Sequence, residues 1–272
     1  LRVILILDFI KLFKLSDIVD VNKNALIDNI GIRSKPDAVV YVNLFGNLAD
    51  YDYLKKYCSS RGIPLIEDAA QSLGSYYHKI PSGKLGDISS LSFAPTKPLP
   101  CFGNAGMVLT DNESERDLVR SLRYHATGTA KLPYGYNSCI SNDHANILNF
   151  LLTKYKSLLA RTQKVRKLYD TKLSDMGIVS IQTSNGTVSN NHKLVICVDD
   201  RDNLKKFLQD KEIETQIHYT QPMSKIKMFK TDLEMPNADK FCEKALSLPI
   251  HPFMKEKEIE FVCRCIGEFY GF

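Results

Sequence analysis

Residues 39–71 read VVYVNLFGNLADYDYLKKYCSSRGIPLIEDAAQ, and the order of apolar and polar positions in this stretch decides the fold class. The run 39–45 is short, apolar and rich in β-branched residues, which predicts a buried strand. Residues 50–61 repeat their apolar side at Leu54, Tyr57 and Cys58, the spacing of a helix. That helix is expected to stop at Gly62, where a left-handed cap costs least. Residues 63–66 then form the next strand and deliver Glu67, Asp68, Ala69 and Ala70 at its C-terminal end. Strand, helix and strand in close succession are the mark of a βαβ unit and a mainly parallel sheet.

Outward from this unit the alternation continues. Residues 91–93 and 107–110 read as two more strands. Beyond Asn142 the period changes. Ile147, Leu148, Leu151, Leu152, Tyr155, Leu158, Leu159, Val165, Leu168 and Tyr169 recur three or four residues apart as far as Gly177, which predicts one long helix of the kind that joins two lobes. The remainder reads as a small α+β unit, with strands at 194–198 and 214–219, a helix at 201–211 and a closing helix at 255–270. The expected division is therefore a large domain over residues 1–141, and a linking helix with a small C-terminal domain over 142–272. The apolar segment 1–15 is interrupted by Asp8, Lys11 and Lys14 and lacks the uninterrupted span of about 20 residues that a membrane helix requires; a buried strand or helix is expected there.

Composition narrows the function classes. The net charge of +5 comes from 36 basic and 31 acidic residues spread along the chain, without the dense basic run of a nucleic-acid arm. The seven cysteines include no Cys-x-x-Cys pair and no histidine couple at zinc spacing. They read as reduced thiols in a cytoplasmic protein, and Cys263 and Cys265 fall in the closing helix, where they point in different directions. No metal site, nucleic acid or membrane is expected.

Candidate chemistry centres on Asp68. Ligands of open α/β sheets collect at the C-terminal edge of the strands, although a lone aspartate there is more often a cap or a loop anchor. Its companions change the balance: Gln71, Ser92, Lys97 in APTKP, and the small-residue turn Gly103-Asn104-Ala105-Gly106. A pyridoxal-phosphate (PLP) enzyme needs a lysine for the imine, an acid for the pyridine nitrogen, donors for ring hydroxyl and phosphate, and small residues near the ring. Lys97 alone would read as a solvated loop lysine between prolines.

The runs VNLFGNLADYDYLKKYCSSRGIPLIEDAAQSLGSYY (42–77) and GKLGDISSLSFAPTKPLPCFGNAGMVLT (83–110) resemble the DegT/DnrJ/StrS family of sugar-nucleotide aminotransferases. The likeness extends over about residues 16 to 260. It implies an α/β fold of the aspartate-aminotransferase type (PLP fold type I), with a mainly parallel sheet in the large domain and a small α+β C-terminal domain. Lys97 would be the lysine that holds PLP as a Schiff base and moves the proton. Asp68 would pair with the pyridine nitrogen, Ala70 pack on the ring, Gln71 meet the ring hydroxyl and Ser92 bind the phosphate. Asn137 in YGYN would reach the cofactor of a neighbouring subunit, so a homodimer is expected. His218 and Tyr219 in IHYTQP resemble a family segment near the sugar cleft, and His125 resembles the histidine of a family His-Gly turn, although Ala126 follows it here. L-glutamate would be the amino donor and a nucleotide-linked keto sugar the acceptor.

The chain departs from the family in two places. A Gly-Thr turn that holds the cofactor phosphate, and an aromatic residue stacked on the ring, are not found; with Leu1 as first residue, loss of preceding chain is one expectation. After Asn137, where the family carries an arginine, stand Ser138 and Cys139. A truncated, non-catalytic dimer therefore competes with the aminotransferase. The family's dehydratase branch, with histidine at the lysine position, is disfavoured by Lys97.

Overall fold

The computed structural model describes residues 37–272 apart from 49, 129–131, 184–185 and 228–234; the element expected in 1–15 lies outside them. In chain order the elements up to residue 188 are β1 (Val39–Val42), α1 (Tyr51–Ser59), β2 (Leu65–Asp68), β3 (Tyr76–Tyr77), β4 (Ile80–Pro81), β5 (Ile88–Ser92), β6 (Gly106–Thr110), α2 (Glu113–Arg123), α3 (Asn142–Ser174) and β7 (Thr187–Val188). They are followed by β8 (Leu194–Cys197), α4 (Arg201–Asp210), α5 (Pro236–Lys244), β9 (Ala245–Leu248) and α6 (Glu256–Tyr270). The described residues form two compact units, one made of residues up to 159 with 183–192, the other of 160–182 with 193–272.

In the first unit a four-stranded sheet runs in the order β1-β2-β5-β6. The first three strands are parallel, with Val42 beside Asp68 and Asp68 beside Ser90. β6 returns antiparallel, pairing Gly106 with Ser92. Parallel register brings the C-terminal ends of β1, β2 and β5 to one edge, the edge at which ligands gather in such sheets. α1 begins where expected: the Asp50 side chain accepts from Tyr53 N–H at 3.3 Å, and Gly62 at φ +59° follows the helix. Leu91 and Phe93 from the β5 region, Leu99 and Cys101 from the loop beyond it, and Leu148 and Tyr155 from α3 share one buried cluster. Each large side chain buried there stabilises by about 1.5–3 kcal/mol.

The second unit contains the two-stranded antiparallel pair β8-β9, with Ile196 opposite Leu246. Tyr169 and Leu173 from the last turns of α3, Leu204 and Leu208 of α4, and Ile259 and Ile266 of α6 close its core, all fully buried. The buried Arg201 guanidinium donates to the carbonyls of Cys242 (3.0 Å) and Ala245 (2.9 Å), which joins the start of α4 to the junction of α5 and β9.

Two expectations are corrected. The strand expected over 39–45 ends at Val42, and Leu44–Gly46 is a 3-10 turn with Phe45 at φ 63°. The apolar run continues past the strand because Phe45 is buried in the turn, which periodicity cannot distinguish from a strand. Residues 214–219 form no strand; a single bridge joins Gln216 to Ser247, because β9 takes β8 as its ladder partner. The short strands β3, β4 and β7, the helices α2 and α5, and β9 went unforeseen. No described helix is long and apolar enough to cross a membrane.

Candidate active site

The site is built on the alternation of β2. Successive residues of a strand face opposite sides, so Glu67 and Asp68 part company. Glu67 is fully buried. Its carboxylate accepts from Asn43 Nδ2 (2.8 Å), Ser82 Oγ (2.8 Å), Ser89 Oγ (2.9 Å) and the backbone N–H groups of Gly83 (2.9 Å) and Leu85 (3.0 Å). A buried charge held by so many donors is satisfied without a cation. This arrangement anchors the end of β1, the 82–85 turn and β5 to one residue of β2.

Asp68 faces the other side and is half-buried. Its Oδ1 accepts from Ala70 N–H at 3.0 Å, and it makes no ion pair among the described residues. Ser90 is its register neighbour on β5. Ser92, two residues further along, therefore lies on the same sheet face. Among the described residues the Ser92 hydroxyl accepts only a long bond, 3.4 Å, from Ala94 N–H. A turn then closes through Lys97 N–H to Ala94 carbonyl at 2.9 Å. The flanks of this loop are pinned: Phe93 N–H donates to Ala105, Cys101 N–H to Phe93, and Leu99 is buried. Lys97 is half-buried, and its ammonium has no hydrogen-bond or ion-pair partner among the described residues.

Gln71 follows in the turn after β2. Its Oε1 accepts from Phe45 N–H at 2.8 Å, and its carbonyl accepts from Asn190 Nδ2 at 2.9 Å. Asn190 also donates to the Leu73 carbonyl at 2.9 Å. It packs so closely on Gly46 that a Cβ there would strike its Oδ1. The positive φ of Phe45 is thus part of the device that orients Gln71.

His125 and Asn137 meet elsewhere in the first unit, past the end of α2. His125 N–H donates to the Tyr136 carbonyl at 2.9 Å and Tyr124 bridges to Asn137, leaving both side chains exposed. His218 and Tyr219 belong to the second unit. His218 Nδ1 lies 2.8 Å from Ser247 Oγ, and burial, followed by the nearby Lys193 charge, pushes its pKa down. Tyr219 is exposed.

The structure therefore gathers Asp68, Ala70, Gln71, Ser92 and Lys97 at one sheet edge. The strand ends, the turn after β2 and the loop after β5 that form this edge carry a carboxylate, an amide, a hydroxyl and a primary amine beside small residues, a donor set that fits PLP. Glu67, Asn190 and Ser247 were not singled out from sequence. Glu67 could have been, as the inward neighbour of the strand-end acid Asp68; Asn190 and Ser247 carry no local signal. All seven cysteines are free, and no described cluster of His, Cys, Asp or Glu could hold a metal ion.

Comparison with known proteins gives a family match over residues 19–267, to the DegT/DnrJ/EryC1/StrS aminotransferase family. A UDP-2-acetamido-2-deoxy-3-oxo-D-glucuronate aminotransferase of Pseudomonas aeruginosa is 29% identical, the alignment covering 86% of this chain and 66% of that protein. A pleiotropic regulatory protein of Geobacillus stearothermophilus is 30% identical over 88% of this chain and 67% of its own length. The chain thus spans about two thirds of these relatives. A crystal structure of a DegT DnrJ EryC1 StrS aminotransferase from Brucella abortus superposes with a TM-score of 0.83 at 28% identity, covering 92% of this chain and 68% of that one.

Proposed function

The chain belongs to the DegT/DnrJ/EryC1/StrS aminotransferase family, and from that premise we propose that it moves an amino group from L-glutamate to a nucleotide-linked keto sugar in amino-sugar biosynthesis. The aminotransferases of this family are PLP-dependent and have PLP fold type I. When bound, PLP supplies an electron sink for the carbon that loses its proton.

Each residue of the sheet edge then has a task. Lys97 would hold the cofactor through Nζ, and that amine, once released, would move the proton lost by the substrate carbon. The Asp68 carboxylate would pair with the pyridine nitrogen. Ala70 would pack on the ring, Gln71 would meet its hydroxyl and Ser92 its phosphate, while Asn137 would reach the phosphate in the other subunit of a homodimer. His218, Tyr219 and His125 serve the sugar side. Reduced cysteines fit a cytoplasmic enzyme, and a surface polysaccharide or glycoconjugate is the destination of the product.

The observation that carries this function is the set Asp68, Ser92 and Lys97 at one strand edge, with only short-range backbone partners or none among the described residues, beside a fully committed Glu67. Visible absorption of the purified chain with added PLP, before and after L-glutamate, tests it. A band that bleaches with glutamate, and a borohydride-trapped adduct that maps to Lys97, are expected. Lys97→Ala should abolish the band and leave the fold intact; unchanged colour in that variant would remove the assignment.

A further inference from the structure

Asn190 is buried, with 3% of its surface exposed, and both ends of its amide are engaged. Nδ2 donates to the carbonyls of Gln71 and Leu73, each at 2.9 Å, and Oδ1 accepts from His192 N–H at 2.9 Å. The direction of this amide is fixed, because turning it over would set its oxygen against two carbonyls and its NH2 against an N–H. Its backbone N–H donates at 2.9 Å to Ser75 Oγ, which itself donates at 2.7 Å to the Gly46 carbonyl. Oδ1 also occupies the space into which a Cβ on Gly46 would point. Phe45, next in the chain, sends its N–H to Gln71 Oε1 at 2.8 Å. All of these residues belong to the first unit. Asn190 therefore holds Gln71 twice, directly at its carbonyl, and through Ser75, Gly46 and Phe45 at its side-chain oxygen. With Oε1 taken by an N–H, the group that Gln71 has left is its NH2, a donor with no partner among the described residues.

We propose that Asn190 is a positioning residue that acts through Gln71, holding that side chain so that its NH2 is presented as a fixed donor to an oxygen of the ligand at the strand edge. A fixed NH2 favours an oxygen that accepts, and an ionised one most. That the oxygen is the ring hydroxyl of the cofactor rests on the aminotransferase function above; the hold of Asn190 on Gln71 does not.

NMR of the full chain with nitrogen-15 in its glutamines tests this hold without cofactor, and Gln71→Met identifies the Gln71 NH2 signal. In the wild type the proton–nitrogen nuclear Overhauser effect of that NH2 should match the folded glutamine backbone amides and exceed the side-chain values of the exposed Gln209 and Gln221. Asn190→Ser, and Asn190→Asp, which keeps the size but puts an oxygen against the two carbonyls, should each lower it to those exposed values. Ser75→Ala cuts only the branch through Gly46 and should lower it part of the way. A mobile Gln71 NH2 in the wild type overturns the proposal by itself, whether or not any variant folds; so does an unchanged value in an Asn190 variant, or in Ser75→Ala should the Asn190 variants not fold. With added PLP, Asn190→Ser and Gln71→Met should each raise the concentration for half-saturation about fivefold. The double variant should be no weaker than Gln71→Met, because the residue through which Asn190 acts is already gone. Additive losses would make Asn190 a scaffold residue and overturn the proposal. A chain whose Gln71 is rigid, and is loosened by the variants, but which shows no PLP band keeps the hold of Asn190 on Gln71 and removes the aminotransferase function.

Discussion

Glu67 and Asp68 are neighbours of the same charge with opposite demands on the protein. One carboxylate holds the scaffold, and the other is left for chemistry. Glu67→Ala would strip the acceptor from five donors, Asn43, Ser82, Ser89, Gly83 and Leu85, most of them buried. With so many groups left unpaired, a loss of at least roughly 3 kcal/mol is expected, read from the urea midpoint. Asp68→Asn, half-exposed and among the described residues bonded only to Ala70 N–H, should change that midpoint by less than about 0.5 kcal/mol while weakening retention of PLP. Equal destabilisation by both variants would refute this division of labour. Asp68, Gln71, Ser92 and Lys97 stood out in the sequence because their types and order match a cofactor's needs, and their cofactor roles are a proposal. Glu67 could be read only as the inward neighbour of that strand-end acid; its anchoring role could not, because it depends on donors 15 to 24 residues away that only the register of the sheet assembles.

At the scale of elements, Asp87 shows how the sheet is tied to its first helix. Its Oδ2 accepts from Leu65 N–H at 2.8 Å at the start of β2, and its Oδ1 pairs with Lys55 of α1. Burial alone would raise the Asp87 carboxyl, but the Leu65 N–H and the Lys55 charge outweigh it and hold the pKa below the ordinary carboxylate value. The unfolded chain therefore takes up this proton first as pH falls. The contribution of Asp87 is complete above its ordinary pKa of about 3.9 and is lost as pH drops through the lower folded value. Asp87→Asn should flatten the acid limb of the stability profile and leave the neutral limb parallel to wild type, measured by urea midpoints against pH; an unchanged acid slope would show that the pair contributes nothing. Elements with a full helical period were legible, α3 above all. The two-residue strands β3, β4 and β7 are too short to show a period. By contrast α2 carried a readable start, Asn112 ahead of Glu113 and Glu115, and the Asn112 side chain indeed accepts from Ser114 N–H at 2.9 Å.

At the scale of the whole molecule the question is how a chain completes its site. If Asn137 reaches across a two-fold axis, each site draws Lys97 from one subunit and Asn137 from the other, as an isologous dimer permits. Asn137 is exposed in the single chain, free of any side-chain hydrogen bond among the described residues, as a residue reserved for a partner would be. Lys97→Ala alone should lose the glutamate-bleached band entirely. Asn137→Ala alone should show it only at high PLP, because cofactor affinity falls. When the two variants are unfolded together and refolded at equal amounts, about half of the dimers are mixed. In each mixed dimer one site pairs the intact Lys97 with the intact Asn137, and the other carries both lesions. At PLP concentrations that saturate wild type but not Asn137→Ala, the mixture should recover about a quarter of the wild-type bleaching amplitude, against almost none for either variant by itself. Recovery at that level would require both a dimer and a shared site. An amplitude equal to the mean of the separate variants would confine each site to one chain, so that any effect of Asn137 on the cofactor is exerted within its own subunit.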